Sequence, residues 1–511
     1  MKKSAKLIIM IGLLVVGVAL GVSISMIFNK NNSGSGGPGG RIASGGAVSG
    51  SAMGQPPEKP DGDGGNGGPG GNGSGGGSDS APTLSGANTA DGTEKSTDGS
   101  SELSSTSEDE NAVLATNGGS YTVTNAKVTK SGDTSSEDQS NFYGLNAVVA
   151  ATENSSIDIS NSTVTSDSEG SNGIFATGSD AKVKATNVTI KTTANSSRGL
   201  DATYEGTIVA SNMDITTSGD HCAALATDRG GGSVSADASK LSTSGQGSPL
   251  IYSTGVIEVT NSTGESTGSQ IVGMEGLNTV RIKACTFTGS ANTSSESVSN
   301  GVFLYQSTSG DSSEGTAEFE CSDSTLTSKI SGGSMFYVTN TAANIVLSNT
   351  NLDFDSDDNA LLTAGGNDSS RNWGTKGENG GDVTFTAINE QLKGNISCDG
   401  ISNITCYFTT NTNYTGTIIN DTTYTGDGGV TINMAAGTTW TVTKDCTVKE
   451  LNVADGANIR DASGKTVTIK TSDGTVQVDG DSELTITTDS YSTTDKSSGA
   501  GTITDFTIDR N

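Results

Sequence analysis

The chain has 511 residues, room for several ordinary domains, yet only 31% of it is apolar and 71 residues are glycine. A globular core of that size wants roughly half apolar residues, so a large conventional core is excluded, whereas a solenoid that buries one thin axial column of side chains is not. The formal net charge of −29, from 57 acidic and 28 basic residues, excludes a nucleic-acid binder, which needs a basic footprint; it suits a soluble surface protein and leaves calcium as a candidate ligand.

Lys2, Lys3 and Lys6 precede an uncharged run over residues 7–28, 22 residues long. That length spans a bilayer, and lysines ahead of it place that end in the cytoplasm. Residues 1–29 are therefore expected to anchor the chain in the membrane. The other reading is a cleaved export signal, with Ser23 and Ser25 as the small residues before the cut. Either way the remainder is expected outside the cell, at its surface or secreted. Residues 30–110 carry almost no large apolar side chains and read as a disordered Gly/Pro/Ser-rich acidic tether. Asp61-Gly-Asp63 opens like a calcium loop but never reaches the distal Glu that would complete one.

From residue 111 to about 410 a short alternating β-run recurs, ending near Asn. Examples are Ile157-x-Ile159-x-Asn161, Val183-x-Ala185-x-Asn187, Ile208-x-Ala210-x-Asn212, Val234-x-Ala236-x-Ala238, Ile257-x-Val259-x-Asn261 and Val280-x-Ile282-x-Ala284. Their final positions lie 26, 25, 26, 23 and 23 residues apart. A period in the twenties made of β-runs specifies a β-solenoid. Each coil is expected to hold three short strands, as in Leu200-x-Ala202, Ile208-x-Ala210 and Met213-x-Ile215, paired in parallel with the next coil about 4.8 Å away. The repeated Asn125, Asn161, Asn187, Asn212, Asn261 and Asn349 suit a left-handed turn and are expected to stack as a hydrogen-bonded ladder.

The period swells before Cys321 and before Ala387, placing inserted loops near 289–300 and 365–381. Insertions on a solenoid project from one face, where ligands bind. The second loop holds Arg371, Trp373 and Lys376 in an aromatic-poor chain, and these are the candidate glycan-binding residues. Asp353, Asp355, Asp357 and Asp358 form the densest acidic cluster and the candidate calcium ligands. Residues 411–511 switch to shorter runs, including Trp440-x-Val442 and Leu451-x-Val453, and read as a smaller β-solenoid or cap over the open strand edges. Six cysteines could form three bridges outside the cell, Cys398 with Cys406 being the preferred pair, while Cys321 reads as a small buried residue of the stack. None sits in a CxxC pair, so no zinc site is indicated.

One stretch resembles the polygalacturonases. Asn195-Ser-Ser-Arg-Gly-Leu-Asp201, Gly219-Asp220-His221-Cys222, Gly245-Gln246-Gly247 and Arg281-Ile282-Lys283 follow the order of that family's motifs. An inverting glycosidase needs an acid and a base carboxylate flanking a water. Here Arg198, His221 and Gln246 stand where the motifs have Asp, Asp and His. The set is incomplete and shared coil geometry accounts for the match. His221 is the only histidine, so a His-based catalytic set is excluded and no enzyme activity is expected.

Other segments resemble exported, adhesin-like right-handed β-helix proteins of Gram-positive bacteria. They are Gly247-Ser-Pro-Leu-Ile-Tyr-Ser-Thr-Gly255, Asn300-Gly-Val-Phe-Leu-Tyr-Gln306, Met335-Phe-Tyr-Val-Thr-Asn340 and Arg371-Asn-Trp-Gly-Thr-Lys-Gly377. The stretch from Thr439 to Val453 is similar to the closing coils of autotransporter passenger domains. The resemblance implies an all-β, right-handed parallel β-helix, pectin-lyase-like, with a smaller C-terminal β cap. It implies a location at the cell surface but no activity. The long rigid solenoid on a flexible linker, with no complete acid/base set, is what leads us to expect a monomeric, non-catalytic surface protein that binds polysaccharide or a cell-surface glycan, needs no cofactor and takes calcium as an option. A lyase or hydrolase acting on acidic, pectin-like glycans and a purely structural protein are the alternatives.

Overall fold

The computed structural model describes residues 81–290, 299–367 and 373–510. The expected membrane segment, the tether up to residue 80 and Arg371 lie outside the described residues. Within them the chain winds as a parallel β-helix with three long faces. The first sheet stacks 13 strands, from Ser85–Asp91 to Ile418–Asp421. The second runs from Glu94–Asp98 through every coil to Cys446–Val453, then Thr485–Ser492 and Thr468–Thr471, and ends in an antiparallel hairpin with Val476–Val478. The third stacks ten strands from Glu102–Ser105 to Asn351–Asp353; a four-stranded sheet, Gln391–Lys393 to Asn458–Asp461, replaces it in the later coils.

The register is what the repeat requires. Ile157, Val183, Ile208, Val234, Ile257 and Val280 pair one above the next and are all buried. A one-residue slip would turn that whole column to solvent, so the alternation itself locks the stacking. The rings of Phe319, Phe336 and Phe385 fill the axis edge to face, at centroid separations of 5.8 and 6.2 Å.

The helix begins earlier than its composition suggests: residues 85–105, inside the segment read as tether, form a complete first coil. Its inward positions are Ala90, Leu103 and Ser105. Only Leu103 among them is large and apolar, so the coil leaves almost no apolar signal, yet these side chains suffice where the neighbouring coil covers them. At the other end the coils continue past residue 411 and finish in the hairpin around 468–478.

Asn125, Asn161, Asn187, Asn212, Asn261 and Asn349 all adopt left-handed backbone angles, φ 50 to 56°. Asn tolerates this region better than other non-glycine residues. The bonds between them are pairwise: Asn187 Nδ2 donates to Asn161 Oδ1 at 2.7 Å, whereas Asn125, Asn261 and Asn349 donate to Asp98, Asp237 and Asp323. Ala238 and Ala284 occupy the same turn, φ 48 and 54°, and cannot extend a ladder.

A second, inward ladder went unread in the sequence. Ser239 Oγ accepts from Met213 N, Ser262 Oγ from Ser239 N, Cys285 Sγ from Ser262 N, and Ser324 Oγ from Cys285 N. Cys222 does the same for Ser197 N at 3.0 Å. All six cysteines are buried free thiols. Two replace a capping serine, so they are committed along the solenoid axis and not to each other. Cys398, expected to bridge Cys406, instead points its thiol to the Ser402 carbonyl at 3.2 Å. Burial pushes the Cys222 and Cys285 thiols up to about 12 and about 11, which makes them poor nucleophiles.

In the later coils Glu390 takes over this capping position, accepting from Thr350 N at 2.7 Å. Burial pushes its carboxyl up to about 8, against the pull of the Thr350 N–H. The folded state therefore keeps a proton that the unfolded chain loses above its ordinary value of 4.5. Stability from this group falls as pH rises from about 4.5 to about 8 and is level beyond. Glu390→Gln keeps the acceptor without the charge, so its melting temperature is expected to meet or exceed wild type at pH 8 and to lose part of the decline across that window. A pH series of thermal melts checks this.

Candidate functional site

The outer face of the first sheet carries side chains that a plain solenoid does not need. Phe175, Asp201, Ala226, Tyr252, Gly273, Phe303 and Tyr337 follow one another in register, pointing away from the axis. Three inserted segments lie over this face. One holds the helix Glu137–Tyr143, capped by Ser136 Oγ at Gln139 N and closed by Gly144 in the left-handed region. Thr203 Oγ1 donates to the Phe142 carbonyl, and the Tyr143 and Tyr204 rings stack at 5.2 Å. The second segment, residues 306–315, is tied down through Ser307 and Asp311, and the third brings in Trp373.

Between the first two of these lies a cleft whose walls include Asp138, Phe142, Arg198, His221, Asp228, Tyr252, Glu275, Tyr305 and Asp311. Arg198 is its centre. Its Nη1 meets Asp201 Oδ2 at 2.9 Å and its Nη2 meets Asp228 Oδ2 at 2.8 Å. Its guanidinium lies 6.0 Å from the Tyr252 ring centroid. Arg229 donates from Nη2 and Nε to Asp311 Oδ1 at 2.8 and 3.0 Å and covers the Phe142 ring at 3.8 Å. Glu275 Oε1 accepts from Ser307 N at 3.1 Å, from Ser307 Oγ, and from Ser309 Oγ at 3.3 Å.

One guanidinium shared by two buried carboxylates does not offset the cost of ionising both. Burial pushes Asp228 up to about 8, with Asp311 and Asp201 adding negative charge and Arg198 opposing. Burial likewise raises Asp201 to about 6 against Arg198, and Glu275 to about 6. The same two carboxylates hold the Arg198 guanidinium firmly protonated. Burial thus favours the neutral form of Asp228 beside a fixed cation and three aromatic rings.

The polygalacturonase-like stretch divides in two. Arg198, His221 and Gly247 line the cleft. Arg281 instead lies on the second sheet, paired with Glu258 at 3.2 Å and Glu320 at 3.3 Å. Much of the motif is turn chemistry. Asn195 Oδ1 accepts from Asp220 N, and Asp220 Oδ1 from Gln246 N at 2.7 Å. Gly219 and Gly245 stack so closely that a Cβ on Gly245 would sit 1.8 Å from the Gly219 carbonyl oxygen.

Of the residues singled out in the sequence, Trp373 is buried, with its ring stacked 4.9 Å from Tyr305 and 6.3 Å from Phe303. It closes a small aromatic cluster with Tyr337 instead of offering a face to solvent. Lys376 is exposed on the same loop. The four aspartates do not converge. Asp353 Oδ2 accepts from Thr327 Oγ1, Asp355 Oδ1 from Asp357 N, and Asp358 Oδ2 from Ser331 Oγ and Gly332 N. Among the described residues no group of three or more His, Cys, Asp or Glu is arranged to hold a metal ion.

Asp228, Tyr252, Glu275, Tyr305 and Asp311 escaped the sequence reading. Two signals could have found them: carboxylates and aromatics at outward positions of first-sheet strands, and the 36-residue gap between Asn125 and Asn161 that holds the helix insertion. No protein-family model, curated protein or solved structure matches this chain.

Proposed function

We propose that this protein binds a polysaccharide or cell-surface glycan, without catalysis, in the cleft around Arg198 on the outer face of the first sheet. The observation that carries this reading is the convergence there of two inserted segments, charged groups and aromatic rings upon an otherwise plain scaffold. Carbohydrate sites combine such apolar surfaces with a few fixed polar groups. The two guanidiniums at the cleft, Arg198 and Arg229, are already paired with Asp201, Asp228 and Asp311, so neutral or amino sugars suit the cleft better than polyuronates. The lysine-flanked apolar run near the N-terminus supports display at the cell surface, as a membrane-anchored or secreted chain.

A glycan array read with and without Ca²⁺, followed by titration calorimetry, tests this. The full chain is expected to bind a neutral or amino-sugar glycan. The double variant Asp138→Asn, His221→Asn changes two rim groups, one of them at φ 58° where Asn is tolerated, and is expected to bind at least about tenfold more weakly. No binding across the array, or equal affinity of the variant, would overturn the reading.

The raised Asp228 favours a second reading. A carboxyl still protonated near neutral pH can serve as a general acid, as in a hydrolase or lyase of acidic glycans. New reducing ends or unsaturated products from pectin-like substrates would establish it.

A further inference from the structure

The outer face of the second sheet carries a straight row that the glycan reading does not use. Glu258, Arg281, Glu320, Val346, Thr386 and Tyr407 are successive register partners on adjacent strands. Residues 499–510, which form no strand, run back along this row. Gly501 N donates to Thr386 Oγ1 at 2.9 Å, Thr504 N to Glu320 Oε2 at 2.7 Å, and Thr507 N to Glu258 Oε1 at 2.6 Å. Each step is three residues along the segment and two strands along the sheet.

The spacing has a physical basis. Three residues of extended chain span about 10 Å, and two inter-strand spacings come to about 9.6 Å. An extended peptide laid across the strands therefore returns to register with every second coil. At two of these stations a glutamate reads both the N–H and the hydroxyl of a threonine: Thr504 Oγ1 reaches Glu320 at 2.7 Å and Thr507 Oγ1 reaches Glu258 at 3.0 Å. Arg281 lies between, donating to Thr504 Oγ1 at 2.8 Å and pairing with both carboxylates. Under the segment the Glu258 side chain is wholly buried and that of Glu320 is 7% exposed.

We propose that this row is a peptide-docking groove for an extended polypeptide bearing hydroxyl residues three positions apart, and that residues 499–510 are its intramolecular occupant. The segment is held by hydrogen bonds to carboxylates and hydroxyls, and it joins the coils through the exposed, polar residues 493–496. It is therefore built to exchange. Tethering gives it a high local concentration, on the order of millimolar for a short flexible linker, so a competing peptide must match its chemistry to displace it.

The test uses the full chain with a protease site inserted between Thr494 and Asp495, cut after folding. The released fragment is expected to stay bound and to be displaced, saturably, by a synthetic peptide of residues 497–510. A peptide carrying Thr504→Val and Thr507→Val keeps the shape but loses both hydroxyl bonds, and should compete at least about tenfold less well. Glu258→Gln with Glu320→Gln should loosen the fragment, with circular dichroism reporting that the coils persist. Loss of the fragment on cutting with no rebinding of the peptide at millimolar concentration would overturn the proposal. Equal competition by the valine peptide would also overturn it, and that outcome does not depend on how the glutamine variant folds.

Discussion

Arg198→Ala is expected to destabilise the coils around the cleft by about 3–5 kcal/mol, the cost of leaving a buried ion pair without one partner. Two carboxylates lose their cation at once, Asp201 at 2.9 Å and Asp228 at 2.8 Å. Both can escape by taking up protons, and both are already shifted that way, to about 6 and about 8. Removing the guanidinium removes the force that holds them down, so their folded values rise further. The folded variant then retains protons that its unfolded chain, near the ordinary 3.8, has lost. Stability contributed by these groups falls as pH rises above that value, and it falls more steeply in the variant. The melting difference between wild type and Arg198→Ala should be smallest near pH 4 and widest at pH 8 and above. Arg198→Lys should lie between them, because one ammonium cannot present the planar fork that meets two carboxylates. Equal melting of Arg198→Ala and wild type at pH 8 would remove Arg198 from the centre of the site.

The scaffold was legible because a solenoid repeats its physics. Ile157, Val183 and Ile208 face inward for one reason, and Asn161, Asn187 and Asn212 turn the chain for another, so each coil restates both. What remained illegible was local and unrepeated. The first coil, with Ala90, Leu103 and Ser105 inside, buries only one large apolar side chain and so does not register as a core. Cys222 and Cys285 counted among six cysteines that could form bridges because a thiol in sequence looks the same whether it bridges or caps; their neighbours Ser197 and Ser262 show the capping role only in three dimensions. The cleft itself draws on Asp138, Asp228, Glu275 and Asp311, which are far apart in sequence and meet only because coil stacking converts a separation of some twenty-five residues into one strand spacing. Arg198 and His221 stood out through a borrowed motif, but their partners had no such flag. Trp373 drew notice as a rare aromatic on an inserted loop, and the loop folds it inward against Tyr305.

Trp373→Ala separates that packing role from a ligand-stacking one. The ring is buried against Tyr305 and Phe303, with Tyr337 completing the cluster. Replacing a buried Trp by Ala costs about 3–5 kcal/mol. The cluster is distinct from the axial core, and a solenoid transmits instability mainly to adjoining coils. Hydrogen-exchange protection is therefore expected to drop around Trp373, Phe303, Tyr305 and Tyr337, while amides of the early coils near Ile157 keep theirs. Both tryptophans of the chain are buried, so wild-type emission should be blue-shifted, resistant to iodide and unaffected by added glycan. Tyr305 borders both the cluster and the cleft, which links the two: Trp373→Ala should weaken glycan binding by loosening Tyr305, and Trp373→Phe, which keeps a ring in the stack, should restore most of it. A surface platform for sugars would behave in the opposite way, with iodide-quenchable emission that glycan protects and a protection pattern in Trp373→Ala indistinguishable from wild type.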